Sequence, residues 1–185
     1  MRTPIFLLVV LFLSFAADAA ETRRTKLVLF VTMDGVRWQD LFRGADETLL
    51  NKEAGGIRGT ENTIRRKWWR PNSEQRRSML MPFLWGTIGR EGQVWGNRDL
   101  SSECDVLNDK NFSYPGYSEL LVGHVDSRIT SNEPIPNENV SVLEWLYGRE
   151  TTKGRVGAVN CWPTLSAILN AERSRLPMWT FGHVT

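Results

Sequence analysis

The sequence predicts an α/β fold in which a mostly parallel central sheet is flanked by helices, and three observations carry that expectation. The 185 residues are 41% hydrophobic and 24% charged, which is the range of a globular domain and excludes wholesale disorder, collagen and a multi-span membrane protein. Two dense β-branched and aliphatic runs, Leu27 to Met33 and Val156 to Cys161, suit strands buried on both faces. Helix-compatible segments separate and follow them, and the order strand, helix, strand, helix favours parallel pairing.

The chain begins with an address. Arg2 precedes an apolar run from Ile5 to Phe15, and Ala17 and Ala19 fit the small-residue cleavage pattern of a secretory signal peptide. The run falls short of the roughly 20 apolar residues that span a bilayer. Residues 1–19 are therefore expected to be removed, leaving a periplasmic or secreted protein with no membrane span. Cleavage takes away Arg2 and Asp18, one charge of each sign, so the formal charge stays at +2. So small a charge gives no global field for nucleic acid or anionic membranes.

Leu27 to Met33 ends at Asp34-Gly35, where open α/β sheets place their ligands. An Asp-Gly after a strand is also a common turn. Arg37 follows closely, and its guanidinium has two readings, one positioning phosphate and the other at the surface. Residues 44–78 lack periodicity and read as an irregular excursion with one short helix. Within it, Arg65-Arg66-Lys67-Trp68-Trp69-Arg70 and Arg76-Arg77 interleave cations with aromatics, the pattern of a single-strand binder. The favoured reading is that the indoles pack inward under snorkelling arginine stems, with no nucleic acid partner.

Met81 to Gly89 reads as a helix with Pro82 in its first turn and Gly92 near its end. Gln93 to Asn97 suits a short strand. Asn137 or Asn139 is placed to cap a helix whose apolar positions are Val142, Leu143, Leu146 and Tyr147, with Gly148 as terminator. Pro163-Thr164 opens a further helix through about Asn170. No repeat, low-complexity segment or linker divides residues 20–185. The sequence stops at Phe181-Gly182-His183-Val184-Thr185, after an apolar stretch like the start of another element, so an incomplete domain is expected.

Export permits a disulfide between the two cysteines, Cys104 and Cys161, although sequence does not establish its geometry. With no C-x-x-C, and His124 and His183 far apart, a thiolate zinc module is disfavoured.

The second chemical centre is Asn111-Phe112-Ser113-Tyr114-Pro115-Gly116-Tyr117-Ser118. A hydroxyl followed by Pro-Gly and a helix-compatible run places Ser113 near a helix N-terminus, where N–H groups and the dipole favour anions. A divalent cation on its oxygen would activate such a serine without a histidine base, and Asp34 would supply a hard oxygen ligand. Ser118 is the other hydroxyl, expected on the helix surface, and Glu119 and Asp126 read as solvated charges. Asn111-Phe112-Ser113 and Asn139-Val140-Ser141 also fit glycosylation sequons.

Val31-Thr32-Met33-Asp34-Gly35-Val36-Arg37 and Phe112-Ser113-Tyr114-Pro115-Gly116-Tyr117-Ser118 resemble the metal-binding and nucleophile segments of the alkaline phosphatase superfamily. The likeness continues through Gly123, Asn132, Pro136-Asn137, Val142 to Leu146 and Val156-Gly157-Ala158. It looks closest to exported, phosphoglyceromutase-like members. The resemblance implies that residues 20–185 are the N-terminal part of a metalloenzyme domain with two divalent ions, zinc above manganese or magnesium, acting on a small phosphoester. It makes Asp34 a metal ligand and Ser113 both nucleophile and ligand. Gly116 falls at a substrate-binding position where phosphodiesterase members carry Asn, a departure from the phosphodiesterase pattern, and the sulfatase pattern C/S-x-P-x-R is absent. The distal Asp/His cluster of the family has no counterpart here, since His124 and His183 do not sit in its motifs. A catalytically inactive exported binding protein on the same scaffold is the alternative.

Overall fold

The computed structural model describes residues 25–181. The segment expected to be a signal peptide, His183 and the last residues lie outside the described part. The chain divides into two units, Met1–Met33 and Asp34–Thr185.

In the first unit the expected strand is absent. Leu27, Val28 and Leu29 are each about four-fifths exposed, and Phe30, Val31 and Met33 are exposed too. A strand persists only where its N–H and C=O groups join a ladder. No described backbone hydrogen bond involves residues 27–33, so this apolar run joins no sheet among the described residues.

The second unit opens with a turn at Asp34-Gly35, where Gly35 has φ +71°. Helix α1, Trp38–Arg43, buries Phe42 between Trp38 and Trp85, whose rings lie 6.0 and 5.8 Å from it. A 3-10 turn at Glu47–Leu49 and helices α2, Lys52–Gly55, α3, Glu61–Trp68, and α4, Ser73–Leu80, follow. Residues 44–78 are thus largely helical, contrary to the irregular excursion expected. Asp46, Asn51 and Asn72 each accept a backbone N–H at a helix start, and such caps hold short helices that periodicity alone would not reveal. At Gly44, φ is +73° and an added Cβ would fall 2.3 Å from the Arg77 nitrogen, so α1 and α4 approach through a glycine.

Residues 82–91 are helical as expected, with a π-helical turn at Leu84–Ile88 leading into α5, Gly89–Glu91, and Gly92 as its C-cap. Gln93 to Asn97 forms no strand. The backbone reverses at Gly96, φ +88°, and Asn97 caps a 3-10 turn at Arg98–Leu100 instead.

Helix α6, Ser113–Val122, and helix α7, Val142–Tyr147, lead into a parallel pair. Strand β1, Ala158–Asn160, and strand β2, Met178–Thr180, pair Ala158 with Met178 and Asn160 with Thr180. Helices α8, Leu165–Ile168, and α9, Ala171–Ser174, form the crossover. Tyr114, Leu121, Ile168, Leu169 and Leu176 make the buried core, with Leu143, Tyr147 and Ala158 packed against it. The result is a helix-rich α/β arrangement with a two-stranded parallel sheet, a smaller sheet than the sequence predicts. Val156 to Cys161 is a strand only at its centre, and Val159 is 66% exposed because the pair is covered on one face. Ser141, not Asn137 or Asn139, caps α7 by accepting the Glu144 N–H at 3.1 Å, and Gly148 ends it as expected. No described helix is long and apolar enough to cross a membrane.

Candidate active site around Ser113

Helix α6 begins with Phe112 as N-cap, and no side chain caps it there. A helix start leaves its first N–H groups without intrahelical partners. Here the next turn disposes of two of them. The Tyr114 N–H donates to Asn132 Oδ1 at 2.9 Å, and Pro115 has no N–H to offer. Ser113 is half-buried, and neither its hydroxyl nor its N–H has a hydrogen-bond partner among the described residues. Gly116 lies one turn further on, and a Cβ built there would meet nothing within 4 Å. The first turn of α6 is therefore open to an approaching group on the side of Gly116.

The surroundings hold this turn in place. Tyr114 is 2% exposed and its hydroxyl donates to the Ile135 carbonyl at 2.6 Å. Burial, with the Asp126 charge as a smaller cause, holds its phenol above the ordinary tyrosine range. Glu119, expected as a solvated charge, clamps the preceding loop. Its carboxylate accepts the Leu107 N–H at 2.6 Å, the Asn108 N–H at 3.0 Å and the Asn108 side-chain amide at 2.6 Å. These bonds, the Leu107 one foremost, lower its pKa. Asp126 is likewise structural, being chelated by Arg128 and bonded by the Asn139 amide at 2.6 Å. The Arg128 bond leads in pulling its pKa well below the usual carboxylate range.

Ser118 is 2% exposed and accepts the Asn137 amide at 2.9 Å. It is a core residue rather than a surface one. The surface expectation failed because the helix packs α7 and α8 on that side, a fact that local spacing does not contain.

The other sequence-predicted residues stand apart. Asp34 is exposed, with Oδ1 accepting the Gly35 N–H at 2.7 Å. Arg37 grips Asp40 through two hydrogen bonds, 2.9 and 2.7 Å, and reaches Asp46 at 3.4 Å. These carboxylates, Asp40 first, raise its pKa further. No hydrogen bond, ion pair or shared cavity among the described residues joins Asp34 or Arg37 to Ser113. Cys104 and Cys161 are both exposed free thiols, with no link between them in this structure. Cys104 packs against the Gly96 backbone and Cys161 follows β1, so each thiol belongs to different surroundings.

Asp34 and Ser113 are hard oxygen donors, suited in kind to a divalent ion. They are a partial set. A site takes about four or more ligands, and no group of three or more His, Cys, Asp and Glu side chains converges among the described residues. The basic-aromatic stretch is internally committed. Arg65 and Lys67 lie over Trp69 and Trp68, at 5.6 and 4.6 Å. Arg76 donates to the carbonyls of Arg43, Arg70 and Pro71.

Sequence reasoning gave Asn132 and Arg173 no role and read Asn137 only as a candidate helix cap, yet all three position the site. Arg173 pairs bidentately with Glu144 at 2.9 and 2.7 Å and donates to the carbonyls of Asn137, Glu138 and Asn139. The family likeness passed through Asn132 and Asn137 without attaching a function to either. Compared with known families, with proteins of described function and with solved structures, the chain matches none.

Proposed function

We propose that the chain is the N-terminal portion of an exported, alkaline-phosphatase-like metalloenzyme that hydrolyses or transfers phosphoesters, with Ser113 as nucleophile and Asp34 as a metal ligand. The observation that carries this reading is the start of α6, where Ser113 keeps an uncommitted hydroxyl and N–H while Asn132 and Pro115 account for the next two positions. The larger, mostly parallel sheet of that family belongs to the same proposal.

Ser113 Oγ would attack phosphorus in line, forming a phosphoseryl bond as the bond to the leaving alkoxide breaks. The leaving oxygen takes a proton, and water or another hydroxyl then accepts the phosphoryl group. The Ser113 N–H and the helix dipole favour the phosphoryl oxygens, and Gly116 leaves room for them. Divalent ions, zinc before manganese or magnesium, would supply charge stabilisation and a deprotonated nucleophile when bound.

The test is to read the gene beyond codon 185, express the whole open frame, and assay p-nitrophenyl phosphate with each metal. Metal-dependent turnover that Ser113→Ala abolishes supports the proposal. Full activity in Ser113→Ala removes the nucleophile assignment, and no turnover with any metal favours the inactive binding protein.

A further inference from the structure

Charge is spread unevenly along this chain. Residues 58–77 hold seven Lys and Arg against Glu61 and Glu74, a net +5 in a chain whose formal charge is +2, so the remaining residues sum to −3. The stretch runs through α3 and α4, which pack on each other. Carboxylates offset little of its charge. Arg65 meets Glu47 at 2.6 Å and Arg77 meets Glu74 at 3.7 Å, whereas Arg58, Arg66, Lys67, Arg70 and Arg76 have no ion pair among the described residues.

These cations are also contiguous. Arg70 donates to the Arg66 carbonyl at 3.0 Å, and Arg76 donates to the Arg70 carbonyl at 2.8 Å, so the three arginines follow one another across the junction of α3 and α4. Carbonyls and indole rings fix these side chains without cancelling their charge. A guanidinium carries five N–H donors, and Nη2 of Arg70 and of Arg76 bonds nothing among the described residues. Arg66 and Lys67 are exposed. Planar guanidinium edges match phosphate oxygens, which both nucleic acids and phospholipid surfaces present in rows. A single strand would also need open aromatic faces for its bases. Trp68 and Trp69 are partly buried, with Lys67 and Arg65 over their rings at 4.6 and 5.6 Å, so cations stand where bases would stack. Indoles lying under a layer of cations suit the headgroup region of a bilayer instead.

We infer that the junction of α3 and α4 is a docking surface for anionic phospholipid, with Arg66, Lys67, Arg70 and Arg76 set against the headgroup phosphates. The contact is electrostatic and local, which a net charge of +2 conceals. It is independent of the phosphoester reading.

The test is cosedimentation of the full chain with phosphatidylglycerol-containing vesicles and with pure phosphatidylcholine vesicles, at low and at high salt. Apolar segments such as Leu27 to Met33 contribute to both, so the ratio of the two partition coefficients reads the electrostatic part. A preference for the anionic vesicles that high salt removes is expected. Arg66→Gln combined with Lys67→Gln should lower the ratio about 25-fold, roughly fivefold per cation. Both side chains are exposed and make no described hydrogen bond, so thermal melts should match the parent. Lys153→Gln combined with Arg155→Gln removes two exposed cations elsewhere and should leave the ratio unchanged. No anionic preference, or an equal fall in the two double variants, overturns the surface. Salt-sensitive binding of oligo(dT) that the Arg66/Lys67 variant loses, without any preference for anionic vesicles, overturns it in favour of a nucleic acid.

Discussion

Asn137 donates its side-chain amide to Ser118 Oγ at 2.9 Å, and both residues are 2% exposed. This bond separates the two serines of the Ser113-Tyr114-Pro115-Gly116-Tyr117-Ser118 segment. Ser118 is sealed in the core with a partner, and Ser113 stands at the helix start without one.

The Asn137–Ser118 pair should behave as a coupled structural unit. Ser118→Ala leaves a buried amide donor unsatisfied and is expected to lower unfolding free energy by about 1–2 kcal/mol, and Asn137→Ala, which also frees the Asn139 contacts, by about 2–3 kcal/mol. Urea denaturation of the singles and the double variant should give clear non-additivity. Additive losses would mean the bond contributes nothing.

At the start of α6 the expectation divides differently. Ser113→Ala should change stability by less than about 0.5 kcal/mol, because no described bond depends on it. Asn132→Ala removes the acceptor of the Tyr114 N–H and should cost about 1 kcal/mol, the worth of a helix cap. Thermal melts of both variants check this, and a destabilised Ser113→Ala would show a structural role for that hydroxyl.

Arg173 ties the loop 137–139 to Glu144 on α7. Arg173→Lys keeps the charge but cannot reproduce the planar fork. It should recover little of the roughly 2 kcal/mol lost in Arg173→Ala. Full rescue by lysine in chemical denaturation would mean that charge alone suffices.

Asp126 sets an acid limit. Its folded pKa lies below the ordinary carboxylate value, Arg128 being the main cause. Its contribution is therefore complete above about pH 4 and is lost as pH falls through the depressed folded value. Urea midpoints measured from neutral pH downward should show this loss in the parent chain and a shallower slope in Asp126→Asn. Equal slopes would place the acid sensitivity elsewhere.

Both thiols are exposed and free, so the native reduced chain should react with two equivalents of a disulfide reagent without denaturant. Mass spectrometry of the air-oxidised chain should find no Cys104–Cys161 link, and its detection under native conditions would contradict the fold.

Much of the local architecture was legible because it rests on local chemistry. Ser113-Tyr114-Pro115-Gly116 announces a helix start, Gly92 and Gly148 announce helix ends, and Pro163-Thr164 announces the turn into α8. Each signal acts within a few residues, through backbone conformation or a missing N–H. Trp68 and Trp69 are only partly buried, with Lys67 and Arg65 over their rings, so the full inward packing expected of them is not reached.

By itself the sequence determined where hydroxyl, carboxylate and helix start fall along the chain, and the likeness on which the phosphoester proposal rests. Only the tertiary structure decided which of these groups are available. It buried Ser118, turned Glu119 and Asp126 into loop clamps, and left Leu27 to Met33 without a ladder among the described residues. The partners responsible lie far along the chain in several cases, Asn137 from Ser118 and Asn132 from Tyr114 among them. A hydrogen bond across such a separation is set by the packing of whole elements, so no local pattern around either residue encodes it.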